Sequence, residues 1–86
     1  MSYSYVITKR ASKDIAKLDG VIKKRLKQKL AFYIAQTDPL SSAKTLTNSP
    51  YGDYRWRIGN YRVIFDIDGD VIVVLQVQHR REVYRR

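Results

Sequence analysis

Residues 54–86, YRWRIGNYRVIFDIDGDVIVVLQVQHRREVYRR, decide the fold: they read as a three-stranded antiparallel meander, with the chain before them as packing for that sheet. DYRWRI and YRVIFDI both alternate, and Gly59-Asn60 between them forms a short turn with Gly where φ can be positive. A two-residue loop there sets Arg57 directly opposite Arg62, with Arg55 on the same face. Like charges directly opposite on a sheet are destabilising by up to about 1 kcal/mol unless something anionic lies between them. The other face carries Tyr54, Trp56, Ile58, Tyr61, Val63, Phe65 and Ile67, an apolar side for a core. The guanidinium-lined side is left open, and its chemistry is that of a phosphate-binding surface.

Composition bounds the rest. The 86 residues make one domain, residues 1–86, and the hydrophobic fraction of 44% supports a folded chain. With no cysteine and one histidine, the chain has neither a disulfide framework nor the ligands of a zinc centre, and no metal or other cofactor is expected. No apolar run approaches the roughly 18 residues of a membrane span, and MSYSYVITKR lacks the apolar region of a signal peptide. A cytoplasmic location is therefore expected. The net charge of +9 points to a polyanionic partner, nucleic acid first and an acidic protein second.

In chain order, YSYVIT (3–8) suggests a first strand that pairs with the meander. Ala11, Ile15 and Leu18 mark one face of a short helix capped by Ser12 or Thr8, and Asp19-Gly20 breaks it. In VIKKRLKQKLAFYIAQ (21–36), Ile22, Leu26, Leu30, Tyr33 and Ile34 recur at helical spacing, giving an amphipathic helix of about four turns. Its polar face holds Lys23, Lys24, Arg25, Lys27 and Lys29 with no acid to pair them, either a solvated face or a contact for RNA backbone or an acidic partner. Residues 37–50, TDPLSSAKTLTNSP, read as a loop with one helical turn around Ser42 to Leu46. At Asp68-Gly69-Asp70 a three-residue loop is preferred, because it places Gln76 and Gln78 on the face of Arg62.

The closing octet, HRREVYRR, carries the chemistry: His79, Arg80 and Tyr84 leave the last strand beside the arginine face, so an imidazole, guanidiniums and a phenol can converge. Here the chain resembles the RelE toxins of the RelE/ParE superfamily. The resemblance runs nearly end to end, through KRASKDIAKL and LKQKL, and is most specific at NYRVIF and HRREVY. It implies a compact α+β domain similar to small microbial ribonucleases. It also implies an mRNA interferase, a toxin that cuts messenger RNA in the ribosomal A site and is silenced by a RelB-like antitoxin. By that resemblance Arg62 falls on the arginine that contacts the scissile phosphate, Arg80 on the second catalytic arginine, and Tyr84 on a tyrosine that stacks on substrate and has a base-like role. Arg55 and Arg57 stand where typical members carry lysines. An always-protonated guanidinium is a poor proton shuttle, so their role is electrostatic RNA binding, with Arg81 beside them. His79 stands where members have lysine or histidine, and imidazole is the best general acid or base in the chain.

Cleavage by the substrate's own 2′-hydroxyl fits this inventory without a metal, because the protein then has to orient the nucleophile, move protons and stabilise charge on phosphorus. Tyr54, Trp56, Tyr61 and Phe65 read as core aromatics rather than base-stacking platforms. Two other functions share the basic hairpin: a ParE-like inhibitor of DNA gyrase with no nuclease site, and an RNA-binding module that does not cut.

Overall fold

The computed structural model describes residues 3–79. Strand β1 (Ser4–Ile7) is followed by helices α1 (Lys9–Ala16) and α2 (Gly20–Ile34), a 3-10 turn (Pro39–Ser42), and strands β2 (Lys44–Thr45), β3 (Tyr54–Ile58), β4 (Tyr61–Asp68) and β5 (Val71–His79). This is the α+β order read from the sequence, with one short strand more. The loop reading of residues 37–50 needs correction: the helical turn comes earlier, at Pro39–Ser42, where the Asp38 side chain accepts the Leu40 N–H. Lys44–Thr45 is extended because it pairs with β3. Thr8 caps α1 by accepting the Ala11 N–H, and Asp19, read as a breaker, caps α2 through the Val21 N–H.

The sheet order is β1-β5-β4-β3-β2, antiparallel except for β1, which runs parallel to β5 with Tyr5 beside Ile72 and Ile7 beside Val74. Beyond Val74 the strand β1 has ended, and α1 closes the exposed edge of β5 with side chains. The Thr8 hydroxyl donates to the Leu75 carbonyl at 3.0 Å, and the Asp14 carboxylate accepts the Val77 N–H at 3.0 Å while paired with Arg10. Two backbone groups that would otherwise stand open are satisfied there.

Both hairpins turn through two residues with positive φ at the first, Gly59 (58°) and Gly69 (62°), the arrangement that matches the twist of the strands. The preferred three-residue loop at residues 68–70 is thus corrected to Gly69-Asp70. Gln76 and Gln78 still reach the face of Arg62, because a register shift at Ile64/Phe65 leaves Leu75 as an extra residue in β5. Val74 pairs with Phe65, then Gln76 with Ile64 and Gln78 with Arg62. The bulge swaps the inward set from Ile72 and Val74 to Val77.

Helices and inner sheet face enclose one core of Ala11, Ile15, Leu26, Leu30 and Ile34 against Trp56, Val63, Phe65, Ile72 and Val74. Its centre is an aromatic stack. Trp56 lies on Phe65 (3.9 Å between centroids) and on Tyr33 (5.4 Å), and Tyr54 extends the stack from Phe65 (5.6 Å). The buried Trp56 indole N–H donates to the Pro39 carbonyl at 3.1 Å, tying the 3-10 turn to the sheet. Trp56→Phe keeps a ring but strands that carbonyl, so denaturant unfolding should show a loss of about 1–3 kcal/mol. An unchanged midpoint would mean that the bond carries no weight.

Candidate functional site

Strand alternation sends Arg55 and Arg57 of β3 and Arg62 of β4 to the face opposite the core. The register sets Arg57 directly across from Arg62, as the short turn requires, and Arg55 across from Ile64. Short strand β2 adds a cation that sequence reasoning missed: Lys44 pairs with Arg55. Two rows result, Lys44–Arg55–Ile64–Gln76 and Arg57–Arg62–Gln78. Lys44 sits inside a turn-rich stretch with too little alternation to announce a strand. Its partner becomes visible only when β3 is in place.

This face is not open along its whole length. A Cβ on Gly52 would come within 2.6 Å of Ile64 Cγ2 and 2.8 Å of Leu75 Cδ1, so the loop before β3 lies directly on the sheet there. The Asp53 N–H donates to the Asp66 carboxylate at 2.7 Å, which fixes the loop. The loop explains why Ile64, on the polar face, is buried. The cations lie toward the other end, nearest the Gly59-Asn60 turn. Arg57 is exposed, while Arg55 and Arg62 are half-buried with their Nε atoms below the surface. Gln78 and Gln76 are each 9% exposed, and Gln78 Nε2 donates to Gln76 Oε1 at 3.1 Å. They form a fixed amide floor beside Arg62, reached by register rather than by any motif.

The other expected site residues are placed differently. His79 pairs with Tyr61, so it stands at the end of β5 on the side opposite Arg62, its imidazole edge-on to the Tyr61 ring at 5.0 Å. Lys23 and Lys27 line a groove with Ile7, Ser12, Ile15 and Ala16 on the helix side, so the sheet separates them from the arginine face. Lys24 is exposed on the same helix. Arg80, Arg81 and Tyr84 lie outside the described residues. Among the described residues no three His, Asp or Glu side chains gather to hold a metal ion, and no helix is long and apolar enough to cross a membrane.

A family model described as "ParE toxin of type II toxin-antitoxin system, parDE" matches residues 5–84. Toxin RelG of Mycobacterium tuberculosis is 33% identical over 88 aligned positions, covering 100% of both chains. Among solved structures, the RelBE2 toxin-antitoxin complex of Mycobacterium tuberculosis superposes with a TM-score of 0.77 at 30% identity, over 93% of this chain and 100% of that one. The RelB-RelE antitoxin-toxin complex of Methanococcus jannaschii superposes with 0.70 at 27% identity, over 93% and 95%.

The facing guanidiniums make an electrostatic prediction. Arg57→Gln removes one of two like charges that are register partners across β3 and β4, so stability should rise by up to about 1 kcal/mol at low ionic strength. The gain should fade toward 1 M salt, where the Debye length is about 3 Å. A salt-independent change, or a loss, would show that repulsion across this pair is not what the substitution relieves.

Proposed function

The chain belongs to the RelE/ParE superfamily of type II toxin-antitoxin toxins, and on that premise we propose that it is a single-domain mRNA interferase that cuts message in the ribosomal A site, in the cytoplasm, without a metal. The observation that carries this reading is the pair Arg57 and Arg62, register partners across β3 and β4 on the outer sheet surface, with Lys44 and Arg55 in the next row. Such a cluster concentrates positive charge on one sheet face. A phosphate is the ligand such a cluster suits, because guanidiniums hold it by charge-assisted, often bidentate hydrogen bonds.

In this mechanism the 2′-oxygen of the nucleotide 5′ to the cut attacks phosphorus and gives up its proton, and the bond from phosphorus to the 5′-oxygen breaks. The departing oxygen takes a proton, leaving a 2′,3′-cyclic phosphate upstream and a 5′-hydroxyl downstream. Arg62 and Arg80 neutralise the charge that grows on the phosphoryl oxygens. His79 and Tyr84 serve the proton transfers, with His79 reaching the phosphate around the end of β5 rather than across the arginine face. Arg55, Arg57, Arg81 and Lys44 hold backbone phosphates. Lys23, Lys24 and Lys27, on the far side of the sheet, attract anions without touching the scissile bond.

The partner is a RelB-like antitoxin, as in the complexes that this fold resembles. Beyond the shared fold, the support is surface left apolar. On edge strand β1, Tyr5, Val6 and Ile7 are 54%, 51% and 40% exposed. The match to a model bearing the ParE name favours one alternative, gyrase inhibition, and a supercoiling assay separates the two.

The test is cleavage on translating ribosomes. Wild type should cut, the cognate antitoxin should abolish cutting, and Arg62→Ala and Arg80→Ala should each lower the rate far more than ribosome affinity, which marks contact made in the transition state. Near wild-type rates for either variant would remove that residue from the site. Intact message with inhibited supercoiling would establish the gyrase reading instead.

A further inference from the structure

A second site opens on the helix side of the same strand end. Between the first half of α2 and the Gly59-Asn60 turn lies a cleft of about 160 Å³. Its floor is apolar, formed by Leu26 and Ile58, which are 1% and 5% exposed. Tyr61 and Arg25 line it, and the exposed Asn60 stands at its rim. Arg25 belongs to the unneutralised face of α2: the ion pair found among the described residues is Arg10 with Asp14.

We propose that this cleft is a binding slot for one unstacked RNA nucleobase, and the inference rests on the RNA-cutting reading above. An unpaired base seeks an apolar or aromatic surface for its face, a guanidinium plane to stack on, and a donor and acceptor for its edge. Tyr61, Arg25 and the Asn60 amide are those three elements around a greasy floor. A phosphate alone has no use for Leu26 and Ile58, and a purely apolar ligand has none for the arginine and the amide. Position supplies the second argument. Tyr61 and Arg62 are adjacent and point to opposite faces, so a strand whose phosphate lies at Arg62 reaches the slot by turning once around the sheet end.

The base can come from the message or from ribosomal RNA, and the test separates them. Arg25→Lys keeps the charge and loses the stacking plane; Asn60→Ala loses the edge contacts at an exposed turn position with ordinary φ. Each is assayed on translating ribosomes for the distribution of cut sites and for ribosome association, with circular dichroism and antitoxin binding to verify the fold. If the slot holds a message base, both variants redistribute the cut sites. If it holds a ribosomal base, both keep the distribution and weaken association by roughly 5- to 150-fold, the range that losing a stacked base of about 1–3 kcal/mol converts to. Folded variants that leave both distribution and association within twofold of wild type overturn the slot. A wild type that cuts no message overturns the function on which it rests.

Discussion

One extra residue in β5 governs which side chains meet the core and which meet the site. Given the two-residue turn at Gly69-Asp70, an unbroken ladder would set Gln76 against Val63, Val77 against Arg62 and Gln78 against Tyr61. Two amides would then enter the apolar layer, at about 1–3 kcal/mol each if unsatisfied. The bulge at Leu75 reverses that. Val77 joins Val63 on the inside, while Gln76 and Gln78 line the outer face beside Arg62. Because a one-residue slip exchanges the two faces of a strand, core and candidate site depend on this single irregularity together.

The cationic end exists because the opposite face stabilises the sheet strongly. Trp56, Val63 and Phe65, all fully buried, alternate with Arg55, Arg57, Arg62 and Ile64 on the same two strands. Burying each of these large apolar side chains is worth about 1.5–3 kcal/mol, so the three together outweigh several times over the roughly 1 kcal/mol that one facing pair of like charges can cost. The strands therefore carry their arginines at a cost the core outweighs. The loop through Gly52 and Asp53 lies on the outer face at Ile64, Leu75 and Asp66, so the arginines lie on the turn side of it and the carboxylates of Asp66 and Asp68 at the other end.

Much of this was legible from residue types and period. The alternation of 54–67 and the Gly59-Asn60 turn set the facing arginines, and the spacing of Ile22, Leu26, Leu30 and Ile34 set α2. In β5 the run Val71–Leu75 is apolar at every position and so shows no parity, and a longer loop puts Gln76 and Gln78 on the face of Arg62 as well as a bulge does. Lys44 was hidden because a two-residue strand has no period of its own. His79 was expected beside the arginines, and its side of the sheet depended on the register of β5. The lysines of α2 joined the RNA surface by charge alone, and packing put the sheet between them.

The central claim is that the substrate's own 2′-hydroxyl is the attacking group, with the arginines stabilising the charge that develops on the phosphoryl oxygens. It is tested most directly by replacing only the nucleotide 5′ to the cut with its 2′-deoxy form, which removes the nucleophile and leaves charge, stacking and base edges nearly unchanged. Ribosome-held message with that single change should still bind and should not be cut, while the unmodified message yields a 2′,3′-cyclic phosphate and a 5′-hydroxyl. Cleavage of the deoxy message, or a 5′-phosphate on the downstream fragment, would make water the attacking group and contradict the roles given to Arg62, His79, Arg80 and Tyr84.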